Sequence, residues 1–453
     1  MAHAWLYLGT DDLRTERLQL EEEGRDTAPL AARLKALEEA GLEPDTDPEG
    51  QAAAQALLDE ARRLPLRAGY AYDEPSGLDA IRHARPDGPR RYDTALTAEV
   101  LADKLSGAWL GRCSGCLLGK PVEGWRTDRL WGYLRDLDQY PLHGYFRSDV
   151  PEDIARKYDV RPDAPFIDRV DCMPEDDDTN YTALAVALLK KHGAAFTPRD
   201  VADFWMESLP ILHTCTAERV AYRNFVAGIA PPESAQHRNP YREWIGAQIR
   251  ADAFGYVAPG YPKRAAEFAW RDASISHVKN GIYGEMWVAA MIAAAAVETA
   301  PARLIEVGLS EIPARSRLAG AIHDVLAWHH EGIDAEAAIA RIHKRWDEHL
   351  PHHWCHTISN AQIVALALLW GEGDFAKSIC TAVQTGFDTD CNGATVGSIM
   401  GMLLGEKRLP EEWIAPLNGT LQTGVAGYHT VKIAAMAAEC LQLWQAFQAE
   451  SET

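Results

Sequence analysis

From residue 96 onward, apolar residues recur at helical spacing and alternating, strand-like runs are rare. Thr97, Thr197 and Asp334 stand where a helix N-cap is needed, because their side-chain oxygens can accept free backbone N–H groups. This pattern predicts an all-α protein, a compact orthogonal bundle of many helices with an N-terminal helical extension. The predicted helices span residues 97–109, 182–191, 198–207, 283–298, 316–330, 335–349, 360–370, 375–385, 393–404 and 431–449.

The first 95 residues have a different pattern. Leucines at near-helical spacing (18–37) and an amphipathic stretch (52–64) are separated by a segment rich in Glu, Asp, Pro and Gly. Residues 70–91 are rich in Pro, Gly, Arg and Asp, which is typical of an extended arm or linker. We therefore predict a helical accessory segment and linker in residues 1–95, and a main domain in residues 96–453.

Two later segments place glycine at every fourth position, which puts the small residues on one face of a helix. A helix without Cβ atoms on one face can approach a neighbouring backbone closely. The spacing therefore predicts buried helices that cross at short distance. The glycines are Gly107, Gly111, Gly115 and Gly119 in the first segment, and Gly393, Gly397 and Gly401 in the second.

The net charge of −21 argues against broad contact with a nucleic-acid backbone, which needs clustered cations. The most apolar stretch (286–297) is too short to span a membrane, and the N-terminus lacks the basic region of a signal peptide. Eight cysteines without dense disulfide spacing indicate a reducing compartment. We expect a cytoplasmic protein without nucleic-acid or membrane partners; nothing in the sequence indicates its oligomeric state.

An acidic run, Asp176, Asp177 and Asp178 followed by Thr179, lies just before an apolar helix. Three adjacent carboxylates repel one another, so burying them together is costly unless cations neutralise them. A solvated acidic helix cap explains this run alone about equally well.

A second acidic run, which includes Asp388 and Asp390, also lies where a loop enters a helix. Its spacing superficially matches a calcium-binding EF-hand loop, but Ile399 occupies the position that requires a bidentate Glu. What remains is a set of hard oxygen ligands suited to Mg²⁺ or Mn²⁺. If the two acidic runs meet, they could hold a two-metal centre.

Two other groups could hold a metal. Cys113 and Cys116 form a C-x-x-C pair without a second pair, so buried structural cysteines are favoured. His352, His353 and His356 could bind a transition metal, but the run 352–356 itself contains no acidic residue. We favour a His-rich entry to the following helix, whose histidines could still line a pocket.

Three blocks resemble the ADP-ribosylglycohydrolases, a family that includes dinitrogenase reductase-activating glycohydrolase, and suggest a divergent bacterial-type member. Residues 107–123 resemble the family's glycine-rich helix ending in Pro-x-Glu, and residues 176–179 are similar to its Thr-Asp-Asp-Thr. Residues 386–392 are similar to its Gly-Asp-Thr-Asp-Thr signature. The resemblance covers the chain from about residue 96 to the C-terminal region.

The resemblance implies an all-α fold with two Mg²⁺ or Mn²⁺ ions between the acidic runs. It implies that Glu123 gates the site or helps to activate water, so the catalytic residues would be Glu123, Asp177 and Asp178. The metal ligands would be Asp176, Asp177, Asp178, Asp388, Asp390 and Cys391.

This sequence departs from the family pattern at several positions. Asp176 replaces a Thr, Cys391 replaces a Thr or Ser, and Cys116 replaces an Asp. The family's phosphate-binding loop, Gly-Asn-Gly-Ser-x-Met-Arg, has only a partial counterpart in residues 244–250. From that counterpart and a nearby Ser-His pair, the implied substrate-binding residues are Gly246, Gln248, Arg250 and His277.

Three hypotheses follow. The first is a two-metal glycohydrolase that cleaves the bond at the anomeric carbon of an ADP-ribosyl or related ribosyl conjugate, with a small molecule or an ADP-ribosylated partner as substrate. The second keeps the same centre but acts on a smaller N- or O-glycoside without pyrophosphate, since the phosphate-binding loop is altered. The third is an inactive ADP-ribose-binding protein, which the retained aspartates disfavour.

Overall fold

The computed structural model describes residues 4–43 and 46–451. Its α-helices are α1 (Thr10–Glu22), α2 (Ala31–Ala40), α3 (Pro48–Ala61), α4 (Leu78–Ala84), α5 (Ala98–Gly119), α6 (Thr127–Asp136), α7 (Glu152–Lys157), α8 (Asp177–His192), α9 (Pro198–Ser208), α10 (Thr216–Val226), α11 (Asp252–Tyr256), α12 (Pro262–Ala273), α13 (Asn280–Ala295), α14 (Pro301–Leu309), α15 (Arg317–His330), α16 (Ala335–Arg345), α17 (Pro351–Cys355), α18 (Thr357–Trp370), α19 (Phe375–Gln384), α20 (Thr389–Leu404), α21 (Glu411–Ile414) and α22 (Ile433–Ser451).

Strand content in the described residues is limited to β1 (Thr420–Gln422) and β2 (Thr430–Lys432), which pair antiparallel. Short 3₁₀ helices span Ala4–Leu6, Lys120–Val122, Gly193–Ala195, Ile211–His213, Glu233–Ala235, Gln248–Arg250, Glu406–Arg408 and Ala415–Leu417. The predicted all-α class is confirmed.

The helix bounds differ most from the prediction in α5, and α20 also begins earlier than predicted. The helix predicted to end at residue 109 continues to Gly119, and the helix predicted to begin at residue 393 begins at Thr389. Glycine lowers intrinsic helix propensity, but both segments are buried along these extra turns. Tertiary packing therefore decides the bounds.

Helices α5 and α20 cross antiparallel through their glycines, as the four-residue spacing predicts. A Cβ atom at Gly111 would overlap the carbonyl oxygen of Gly397, and one at Gly115 would overlap that of Gly393. At the end of α5, a Cβ on Gly119 would overlap the backbone of Thr389. The close crossing therefore brings the C-terminal end of α5 against the N-terminal end of α20.

Helices α1, α2 and α3 bury leucines against one another, among them Leu13, Leu34 and Leu57. This hydrophobic cluster is separate from the large core formed by residue 81 and later residues. The separation agrees with an accessory segment, and the boundary at residue 95 stays a prediction.

Residues 70–91 are only partly the extended arm that their composition suggests, because α4 lies within them. Glu74 accepts hydrogen bonds from Arg317, and Arg90 pairs with buried Glu311 at 3.0 Å. These contacts fasten the arm to the later helices. None of the described helices has the length and apolar character needed to cross a membrane.

Candidate metal centre and pocket

The two acidic runs meet at two helix N-termini. Asp176 is the N-cap of α8, and its Oδ1 accepts a hydrogen bond of 2.9 Å from the backbone N–H of Asp178. Asp388 is the N-cap of α20, and the Thr389 hydroxyl donates to the carbonyl oxygen of Gly119 at 2.9 Å. The start of α20 is thus fastened to the end of α5, and the aspartates of both runs lie close to each other.

Two overlapping sets of side chains could each hold a cation. In the first, one carboxyl oxygen each from Asp176, Asp178 and Asp390 lies within 4.8 Å of the others and of the Cys116 Sγ. In the second, Asp388, Asp390 and the Cys391 Sγ are equally close. Because Asp390 belongs to both sets, the two candidate positions are adjacent.

The protein's own cations reach only part of this cluster. Lys120 forms an ion pair with Asp176, and Arg112 contacts Asp178 at 3.2 Å. Arg112 is shared, because it also pairs with Asp252 at 2.9 Å. Among the residues that the structure describes, the buried Oδ2 of Asp178 and Oδ1 of Asp390 have no hydrogen-bond partner.

Burial and mutual repulsion weaken the acidity of these carboxyls. Burial, followed by the neighbouring Asp and Glu side chains, raises the pKa of Asp177 and Asp390 well above the usual value. Burial also raises the pKa of Asp388 to about 6. Glu123 has an exposed side chain, but the pocket partly removes its water, and with Asp388 and Asp176 this raises its pKa to about 7.

The donor set fits a hard divalent cation. Two buried carboxyl oxygens lack a partner, and unpaired buried carboxylates are costly unless a positive charge joins them. Oxygen donors suit Mg²⁺ or Mn²⁺, whereas sulfur suits softer metals. Burial raises the pKa of the Cys391 thiol well above its usual value, so Cys391 fits less well than the aspartates.

A cavity of about 300 Å³ opens onto this cluster. Of the described residues that line it, none is basic, and its walls are largely apolar or aromatic. They are Glu123, Asp177, Tyr181, Cys215, Thr216, Glu218, Trp244, Ile245, Gly246, Ile249, Pro351, Trp354, Cys355, Asp388, Asp390 and Cys391.

The predicted substrate-binding residues divide into two groups. Gly246 lines the cavity, and a Cβ at this position would overlap the Glu218 carboxyl. Gln248, Arg250 and His277 are buried and do not line it. The Arg250 guanidinium instead pairs with Glu218 at 2.6 Å and with carboxyls behind the cavity wall.

Several residues near the site were not predicted from the sequence. The sequence alone favours a structural role for Cys116 and does not single out Lys120 or Trp354. The position of Cys116 in the glycine-rich block was the available signal, since it replaces a family Asp. Lys120 lies one turn beyond Cys116, so the same helix brings both to the cluster.

The chain is similar to one known family and to a solved structure. A solved structure described as an ADP-ribosylglycohydrolase-related protein complex is 19% identical, covers 77% of this chain and 99% of its own, and has a TM-score of 0.46. A search of curated proteins gave no match. The sequence profile of the ADP-ribosylglycohydrolase family matches residues 97–452, which is most of the chain. The chain therefore belongs to the ADP-ribosylglycohydrolase family.

Proposed function

We propose that this protein is a divalent-cation-dependent glycohydrolase that cleaves the bond at the anomeric carbon of a ribosyl conjugate. The observation that supports it best is the buried pair of unpartnered carboxyl oxygens, on Asp178 and Asp390, beside a cavity of about 300 Å³. Family membership supports the same reaction class. Cavities of this size accommodate small molecules.

Asp177, Asp178, Asp388 and Asp390 would hold one or two Mg²⁺ or Mn²⁺ ions, with Asp176 as a further ligand. Bound cations would supply orientation of ribose hydroxyls and a lowered pKa of bound water. Lys120 already neutralises part of the charge on Asp176, so Asp176 is the weakest oxygen donor of the set.

Glu123 is the candidate for proton transfer. Its carboxyl lines the cavity near Asp388, where it can accept a proton from an attacking water or gate access to the cluster. The surrounding carboxylate oxygens favour a transition state with positive charge on the sugar ring. Trp244 and Trp354 form cavity walls that restrict access of bulk water.

An ADP-ribosyl conjugate is the first candidate substrate, because the family acts on such bonds. A specific observation favours the second, a smaller N- or O-glycoside without pyrophosphate. Arg250 is occupied by buried carboxyls, and none of the described lining residues is basic. A pyrophosphate would therefore depend on bound cations and backbone N–H groups for its binding.

The test is a substrate panel with Mg²⁺ or Mn²⁺ and with a chelator. ADP-ribosyl-arginine and ADP-ribosyl-serine peptides represent the first substrate class, and nucleosides and simple ribosides represent the second. We expect chelator-sensitive release of the ribosyl group from one class. Turnover that is unchanged by chelation would contradict the cation-dependent mechanism. Tight ADP-ribose binding without any turnover would favour the inactive binding protein.

A further inference from the structure

Three histidines surround a carboxylate that the N-terminal segment contributes. Glu22, at the end of α1, accepts a hydrogen bond of 2.9 Å from His353 Nε2. Its other oxygen lies 3.5 Å from His352 Nε2 and 3.8 Å from His356 Nε2. His352 and His356 are almost fully buried, at 1% and 0% exposure, and their Nε2 atoms face Glu22. The acid that the run 352–356 lacks thus comes from residue 22, and the buried Glu243 also lies 3.9 Å from His356 Nε2.

The hydrogen bonds at Nδ1 of His352 and His356 show which ring nitrogen carries the proton. Trp244 Nε1, which can only donate, lies 3.0 Å from His352 Nδ1. The backbone N–H of Ile358 donates to His356 Nδ1 at 3.1 Å. Burial lowers the pKa of both histidines, so both rings are neutral near pH 7. A neutral ring that accepts at Nδ1 carries its proton on Nε2, the atom that faces Glu22.

The position of these protons shows whether the space between the histidines suits a carboxylate or a metal ion. Glu22, His352 and His356 lie close enough together to hold a transition metal. A metal needs an unprotonated nitrogen, and a ligating histidine usually donates from its other nitrogen. Here both Nδ1 atoms accept, so the Nε2–H groups favour an anion, and they face the Glu22 carboxylate at 3.5 Å from His352 and 3.8 Å from His356.

The histidines belong to the segment that forms one cavity wall. Trp354 and Cys355, the last two residues of α17, line the cavity. The backbone N–H of Ile245 donates to the carbonyl oxygen of Cys355 at 2.8 Å, which joins this wall to the wall formed by Trp244. Trp244 is also the donor to His352, so Glu22 lies behind both walls.

We propose that Glu22 is a positioning residue for the cavity: its carboxylate fills the three-histidine cage and fixes the wall that carries Trp354 and Cys355. The N-terminal segment thereby completes the cavity from behind without touching the substrate. The effect on turnover rests on the proposed function, whereas the effect on the wall does not.

Thiol alkylation tests the wall without any need for activity. Cys355 is half-buried and Cys215, in another part of the lining, is exposed, so peptide mass spectrometry can report both rates in one sample. Glu22→Ala should speed alkylation of Cys355 relative to Cys215 by about tenfold, as expected for loss of a hydrogen bond to a charged group. Glu22→Gln, which keeps an acceptor, should give a smaller increase. Glu21→Ala, on the exposed side of the same helix, should give none.

An unchanged Cys355 rate in Glu22→Ala would overturn the proposal. So would one tightly bound Zn²⁺ per chain that Glu22→Ala removes, measured by native mass spectrometry with the Mg²⁺ centre saturated. Should Glu22→Ala fail to fold, the same comparison is made with Glu22→Gln.

Kinetics then connect the wall to catalysis. With the active substrate of the panel, Glu22→Ala should raise KM more than it lowers kcat, and Glu22→Gln should partly restore KM. Equal KM values in wild type and Glu22→Ala would overturn the positioning role. If Glu22→Ala speeds Cys355 alkylation but the wild type turns over no panel substrate, the proposed function is overturned and the positioning role of Glu22 in the wall is supported.

Discussion

Two groups of carboxyls each contribute to the lining of the same cavity, and they differ in where their positive charge comes from. In the first, Arg250 lies between Glu218, Asp272 and Glu285, at 2.6, 2.5 and 3.6 Å. In the second, the metal-centre cluster, Lys120 and Arg112 contact Asp176 and Asp178 only. Within the described part of the chain, Asp177, Asp388 and Asp390 form no ion pair.

The difference supports a structural role for the first group and, under our proposal, a cation-binding role for the second. Burial raises the pKa of Glu218, but Arg250 is the next largest influence and lowers it. For Asp390, burial is followed only by further carboxylates, which raise the pKa again. The protein therefore supplies one buried cation for the first group itself, and under our proposal a bound cation completes the second.

Asp388→Asn should have the largest effect, because it removes a cation ligand and keeps the side-chain shape. We expect the rise in Tm with Mn²⁺ to disappear and kcat/KM to fall by about 100-fold or more. The cation-free variant should be at least as stable as wild type, since one repelling charge is lost. Differential scanning fluorimetry with and without Mn²⁺ measures both, with exposed Asp128→Asn as the control. A Tm rise that survives in Asp388→Asn would remove the distinction between the two groups.

Arg250→Met tests the first group, in which Arg250 pairs with Glu218, Asp272 and Glu285. It should lower the free energy of unfolding by about 3–5 kcal/mol, because three buried carboxyls lose their cation. Urea denaturation measures the loss, and Arg199→Met, which breaks an exposed pair with Asp203, should leave stability nearly unchanged. If Arg250→Lys instead kept full stability and raised KM for ADP-ribosyl substrates alone, Arg250 would belong to the substrate site.

The pH dependence of cation binding gives the smallest effect. The pKa of Asp388 is raised to about 6 and that of Glu123 to about 7, so both carry protons at lower pH. A cation must displace these protons, so Mn²⁺ affinity should rise with pH, by about tenfold per unit at most for each proton, and level off above 7. Titration calorimetry from pH 5.5 to about 8 follows it.

Glu123→Gln is the matched variant for this titration. It should remove the part of the pH dependence near 7 and leave the part near 6, because an amide does not titrate. A flat wild-type profile between these pH values would show that the cluster is already ionised without a cation.

The sequence could predict the helical class, because helical periodicity is a local signal, whereas the meeting of the two acidic runs was implied by the family resemblance. The four-residue glycine spacing likewise predicted the close crossing that the structure shows at Gly111 and Gly115. The sequence could not predict that Arg250 lies in the core, since its partner Asp272 is 22 residues away. Glu22 and the histidines are more than 300 residues apart, and only tertiary packing brings them together.

The glycine crossing of α5 and α20 has a consequence for how such a site can be redesigned. Backbone contact, and not side-chain size, sets the distance between the end of α5 and the start of α20. Exchanging Cys116 or Cys391 for an oxygen donor should therefore retune metal preference without re-spacing the scaffold. Substrate range could be altered separately, through Trp354 and its neighbours, so metal preference and substrate range can be changed independently.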